Sequence, residues 1–176
     1  MTRACDWAEV LRETGNKIKS ELLLRSGLTF CIEHFGEKHS RTAQCLNDLA
    51  HVLSDQDKYD DAEVMLRRAV AIREIVLGAQ HPDIAVSFNN LAEVLRKKAD
   101  YKGALHFQTK SLSLRQRSIG AEHPITASSI NNLALIFMDL GDFDRSLNLL
   151  QRSLKIVESS LGPLHSHELA PESRIP

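Results

Sequence analysis

An all-α solenoid of antiparallel helix pairs is the fold class that this 176-residue sequence predicts, and three observations predict it. The first is a repeat: glycine recurs at Gly36, Gly78, Gly120 and Gly162, 42 residues apart each time. Other columns recur with it, among them His39, His81, His123 and His165, then Asn47, Asn89 and Asn131, then Ala50, Ala92 and Ala134. Periods of about 20 to 50 residues mark stacked arrays of one supersecondary unit. The second is that apolar residues within each period follow helical spacing, with no sustained strand alternation. The third is the link between the two helices of a period, about two residues long, which forces them antiparallel.

The elements follow in chain order. Residues 1–35 read as a degenerate repeat, with Ala8, Val10 and Leu11 in the columns of Ala50, Val52 and Leu53, and Leu28, Phe30 and Phe35 in those of Val70, Ile72 and Leu77. Three full repeats follow at 36–77, 78–119 and 120–161. In the clearest one, Pro82 suits the first helical turn, where its missing N–H would have had no partner, and Asp83 complements the positive end of the helix dipole. Ile84, Ala85, Phe88, Leu91, Ala92 and Leu95 then lie on one face, and Lys97 and Lys98 stand where the dipole favours cations, so helix A is predicted from 82 to about 98. Helix B is predicted from about 101 to 118, carrying Ala104, Leu105, Leu112 and Leu114, and gives way at Gly120 to a left-handed glycine cap. The last helix B is predicted over about 144 to 160, leaving Leu147, Leu150 and Leu154 as candidates for partial exposure. Residues 163–176, bounded by Pro163 and Pro171, are too few for another hairpin and are expected to be disordered.

Small residues explain how the pairs close. Ala50, Ala92 and Ala134 on helix A, and Ala62, Ala104 and Ser146 twelve positions later on helix B, leave little side chain between the two axes. A lone hairpin keeps its other apolar face wet, so stability has to come largely from stacking on neighbours.

Composition narrows the function classes. With 22 basic and 23 acidic residues the chain is close to neutral, which gives no global footprint for nucleic acid. No apolar run approaches the roughly 18 residues of a membrane span, and Asp6, Glu9 and Arg12 interrupt any signal-peptide core, so no membrane insertion and an intracellular, cytoplasmic location are expected. Cys5, Cys31 and Cys45 lack C-x-x-C spacing and lie in apolar-periodic segments, which reads as small buried hydrophobes rather than a disulfide or a metal site. His39, His81 and His123 fall one per repeat, on the order of 10 Å apart if helices pack normally, too far for one metal ion. They read as linker residues, and no metal or other cofactor is expected.

The small residue on helix A, the small residue twelve later and the aromatic column Tyr59, Tyr101 and Phe143 at the start of helix B resemble the tetratricopeptide repeat. The 42-residue period, the G-x-x-H-P linkers, and Phe88-Asn89-Asn90-Leu91-Ala92 and Ile130-Asn131-Asn132-Leu133-Ala134 are similar, more narrowly, to the kinesin light chain type, which also occurs in nephrocystin-3-like proteins and in arrays attached to signalling NTPases. The pattern departs from the family at Asp57 and Ala99, where a glycine is expected and only Gly141 supplies one, and at Gln108, where an aromatic is preferred. No heptad segment of the kind that pairs with a motor heavy chain accompanies the repeats.

That resemblance implies a right-handed superhelix with helix A lining a concave groove. The groove positions it implies are Asn47, His51, Ser54 and Asp55, then Asn89, Glu93, Arg96 and Lys97, then Asn131, Leu135, Met138 and Asp139. An asparagine amide both donates and accepts, so a ladder of three could clamp the backbone of an extended peptide; the same residues could instead tie neighbouring repeats together. Arg96 and Lys97 would suit an acidic ligand, or simply complement the helix dipole. Asp48 and His51 lie three apart on one helix, but no nucleophile, phosphate loop or H-E-x-x-H helix accompanies them, so no catalytic residue is expected. The predicted function is a non-enzymatic scaffold or adaptor for a protein or peptide partner. The alternative is a structural spacer, or a repeat segment that self-associates end to end.

Overall fold

The computed structural model describes residues 10–12 and 14–161. The expectations attached to Cys5, Ala8, Gly162, and the tail with His165 and His167 lie outside the described residues. All regular structure among the described residues is helical. After a helical stretch at 10–12 come α1 (Lys17–Phe35), α2 (Ser40–Asp55), α3 (Tyr59–Leu77), α4 (Pro82–Lys97), α5 (Tyr101–Ile119), α6 (Pro124–Asp139) and α7 (Phe143–Leu161). The long helices begin at 17, 59, 101 and 143 and the shorter ones at 40, 82 and 124, so both series step by 42. α1 thus has the span of a helix B in the register of α3. No helix among the described residues is long and apolar enough to cross a membrane.

The described residues divide into two compact units, one up to Leu114 and one from Arg115. In the first, α1 packs on α2, α2 on α3, and α3 on α4, and α2 also touches α4. Its core contains Ala43, Leu46, Ala69 and Ile72 with Leu28 and Met65 against them. In the second unit α6 packs on α7. There α7 buries Ser146, Ser153 and Ile156 while Phe143, Leu147 and Leu154 are 68%, 56% and 58% exposed, so its apolar residues outnumber the positions its partner helix covers.

Local chemistry sets each start and stop. The histidine column is the N-cap of the shorter helices: Nδ1 of His39, His81 and His123 accepts from the backbone N–H of Arg41, Asp83 and Ile125, at 3.1, 3.2 and 3.1 Å. Each satisfies an amide of the first turn that has no intrahelical acceptor, a contribution of about 1 kcal/mol for typical caps. Asp100 and Asp142 do the same for α5 and α7, accepting from Gly103 and Arg145. The Asp142 carboxyl is held below its usual range, chiefly by that backbone N–H. At the other ends α1, α3 and α5 stop on glycines of positive φ, and Gly120, where a left-handed cap was expected, has φ of 97°. Gly36 and Gly78 have φ of 88° and 84° but ψ of 167° and 145°, an extended conformation with positive φ that is nearly exclusive to glycine.

Asp57, Ala99 and Gly141 form the turn column, with φ of 60°, 61° and 77°. The resemblance asks for glycine there, and a side chain in the left-handed region costs about 1–2 kcal/mol. Ala99→Gly should therefore raise stability by about 0.5–1 kcal/mol, the relief of strain less the entropy glycine loses on folding. Urea unfolding measures it; a lower midpoint for the glycine variant would mean that the turn tolerates alanine without strain.

Candidate binding site

Three ties of the same geometry connect a long helix to the shorter helix that follows it. Arg73 on α3 donates from Nη1 to Ser87 Oγ at 2.7 Å and to the Asp83 carbonyl at 3.1 Å. Arg115 on α5 donates likewise to Ser129 Oγ at 2.7 Å and to the Ile125 carbonyl at 3.1 Å. In the first copy the same positions are cysteines, with Cys31 Sγ 3.1 Å from Cys45 Sγ and 3.8 Å from the Arg41 carbonyl. Serines supply further ties across helix pairs: Ser111 Oγ donates to the Ala85 carbonyl, Ser153 Oγ to that of Ala127, and Ser146 Oγ to that of Ala134, at 2.7 to 2.9 Å.

Two members of the asparagine column, Asn47 and Asn89, bond to other side chains of the first unit. Asn47 is buried, 3% exposed, so it is not the open groove residue the sequence implied. Its amide lies 3.2 Å from both terminal nitrogens of Arg73 and 3.3 Å from Ser87 Oγ, and because a guanidinium only donates, the amide oxygen faces it. Arg73 is itself 7% exposed and also donates to Gln44 Oε1 at 2.8 Å. Burial pushes its guanidinium below the usual range, opposed by the carboxylates of Asp83 and Asp48. Asn89 is half-buried and accepts from Gln108 Nε2 at 3.3 Å. Gln108, standing where an aromatic is usual, is buried and makes that bond in place of ring packing.

The first unit presents an open depression lined by residues of α2, α3 and α4. Ala50, Leu66 and Val94 are its buried apolar members, and His51, Ser54, Asp55, Asn90, Glu93 and Lys97 the polar ones. Of the groove residues read from the sequence, the structure brings together His51, Ser54, Asp55, Glu93 and Lys97 here. Arg96 is half-buried and does not line it. Asn131 and Leu135 are half-buried and Met138 is exposed on α6 in the second unit. Asn90 also lines the depression, a groove role that its place beside Asn89 in the N-N-L-A segment did not by itself imply.

The depression is electrostatically balanced. Lys97 Nζ lies 3.3 Å from the Glu93 carboxylate and donates to Ser54 Oγ at 3.1 Å, so the basic spot carries its own counter-charge. A lysine donating to a serine hydroxyl from within an ion pair does not take that hydroxyl's proton. Asp55 pairs with Arg12 at 3.1 Å and its carbonyl accepts from Lys17, while Asp48 accepts from Gln44 at 2.8 Å. On α1, Glu21 is held down to about 2, first by its bond to Lys58 at 2.9 Å, with Arg25 adding to it. No group of three or more candidate metal ligands occurs among the described residues.

A tetratricopeptide repeat family model matches residues 83–159, and a second tetratricopeptide repeat model matches residues 42–83, so the two together span 42–159. Among solved structures the chain is similar to BtubC (BKLC) from P. vanneervenii, with a TM-score of 0.80 and 22% identity over 97% of this chain and 65% of that one. It is thus shorter than that protein by about a third. It is also similar to the nearly identical TPR-like repeats of a kinesin light chain-like protein of Podosopora anserina, with a TM-score of 0.81 and 18% identity over 92% of this chain and 77% of that one. MamA is more distant, with a TM-score of 0.63 and 14% identity over 90% of this chain and 78% of that one. A search of curated proteins by sequence found no match.

Proposed function

Because the chain belongs to the tetratricopeptide repeat family, a family of protein interaction scaffolds, we propose that it is a non-enzymatic adaptor that holds an extended peptide of a partner protein in the depression between α2 and α4. The observation that carries this reading is the composition of that depression: an apolar base of Ala50, Leu66 and Val94 under a rim that both donates and accepts. A peptide backbone offers one donor and one acceptor per residue, and the Asn90 amide and His51 imidazole can each meet either. The Glu93–Lys97 pair leaves no net charge for a ligand to neutralise, so the ligand that fits is polar or of mixed charge rather than strongly acidic. The apolar base suits a small aliphatic side chain between two backbone contacts.

A peptide-array screen with the purified chain identifies ligands, and variants then locate them. Asn90→Ala should weaken a true ligand by about 0.5–1.5 kcal/mol, about 2- to 12-fold in Kd, with helicity unchanged. His51→Ala should do the same. Asn47→Ala should lower stability instead, since its amide is spent on Arg73 and Ser87. Ligands whose affinity ignores both Asn90 and His51 would place the binding surface elsewhere, and an array with no specific binder would favour a spacer.

A further inference from the structure

We propose that Cys31 and Cys45 are a redox couple whose disulfide staples α1 onto α2. In the two other copies of the same tie, an arginine reaches a serine fourteen residues on and a carbonyl ten residues on. Cys31 stands in the arginine column and Cys45 in the serine column, and Cys31 Sγ keeps the contact to the carbonyl ten residues on. The two positions have changed chemistry together: a polar tie became a pair of thiols with sulfurs 3.1 Å apart. Bonded sulfurs sit at about 2.05 Å, so closure needs a movement of roughly 1 Å, within the reach of a small side-chain rotation.

Both thiols are buried, Cys31 at 0% and Cys45 at 3% exposure. That selects a small oxidant, and a hydroperoxide is the class that fits. Cys45, the residue of the pair that keeps some exposure, attacks the peroxide oxygen to give a sulfenic acid, and one water leaves. Cys31 then attacks the Cys45 sulfur, the S–S bond forms, and the sulfenic oxygen departs as a second water. Two thiols lose two protons and two electrons, and one hydrogen peroxide is reduced to two waters. A thiol reductant reverses the bond by exchange. The pairing joins the end of α1 to the middle of α2, two helices otherwise held by packing and by polar contacts such as that of Lys17 to the Asp55 carbonyl. Oxidation thus converts that helix pair from a packed contact to a covalent one, and the closed loop restricts the unfolded chain.

The test treats the Cys5→Ser chain with hydrogen peroxide, then maps peptides by mass spectrometry without reduction and records thermal unfolding before and after dithiothreitol. The expected result is a Cys31–Cys45 linked peptide in a monomeric protein, both titratable thiols lost, and a midpoint raised by several degrees that falls back on reduction. If Cys5→Ser fails to fold, the wild-type chain gives the same peptide map. Cys31 and Cys45 found as thiols or as separate sulfinic and sulfonic acids would overturn the proposal. So would a bridge that leaves the midpoint unchanged or lowers it.

Discussion

Arg73→Met should lower the stability of the first unit by about 2–4 kcal/mol. Methionine replaces most of the aliphatic stem, so little volume is lost and the cost is that of stranded acceptors. Arg73 donates to the Ser87 hydroxyl, the Asp83 carbonyl and the Gln44 amide, and it faces the Asn47 amide oxygen. Asn47 and Ser87 are buried at 3% and 0%, where water cannot replace the lost donor, and each unsatisfied group costs about 1–3 kcal/mol. Gln44 is exposed and recovers a water, so it adds little. Arg115→Met provides the contrast. Arg115 is half-buried and serves one buried hydroxyl, that of Ser129, so its loss should cost about 1–2 kcal/mol. Urea unfolding of both variants decides the matter. Equal losses would show that burial of the acceptors does not set the cost, and a negligible loss for Arg73→Met would show that the buried network is dispensable.

The same network explains what the sequence made legible and what it did not. Helices α4 and α5 were readable to within a residue, predicted at 82–98 and 101–118 and found at Pro82–Lys97 and Tyr101–Ile119, because proline, charge and apolar spacing act within one turn. The role of the histidines was half readable: their place in the linkers follows from the period, but their work as N-caps depends on ring orientation. The positive φ at Gly120 was readable from the residue type, whereas the extended ψ of Gly36 and Gly78 is set by where the linker must go next. The Arg–Ser and Cys–Cys ties stayed hidden because each joins two columns, and neither the recurrence of arginine at 73 and 115 nor that of serine at 87 and 129 shows that the two columns meet. The signal was the constant offset of fourteen between the columns, with both positions changed together to cysteine in the first copy. Asn47 was misplaced for a related reason. Periodicity assigns a face of a helix, but how far the next repeat's helix covers that face depends on packing, and Ser87 of that helix covers Asn47. Asn90 and the apolar base at Ala50, Leu66 and Val94 become a site only once α2, α3 and α4 are brought together.

Ala92→Leu should destabilise the first unit by about 1–3 kcal/mol by overpacking the closest approach of two helices. Ala92 on α4 is 1% exposed and Ala104, the matching small residue on α5, is 0% exposed. The corresponding pair in the second unit is Ala134 and Ser146, where the Ser146 hydroxyl reaches the Ala134 carbonyl at 2.9 Å. A hydroxyl can bond a carbonyl of the facing helix only when the two backbones are close, so this column marks the narrowest point of a pair. The pair in the first unit is also closed by Ser111 on the Ala85 carbonyl and by Gln108 on Asn89. These bonds fix the helix spacing, so three added carbons cannot be accommodated by sliding the helices apart without stretching them. The loss should therefore appear as a lower unfolding midpoint with weaker amide protection in both α4 and α5. Ala92→Ser should be much milder, since serine already occupies the partner column at Ser146 and can bond a nearby carbonyl. An unchanged midpoint for Ala92→Leu would show that the pair has room at Ala92 and that the small-residue column is not what brings the helices together.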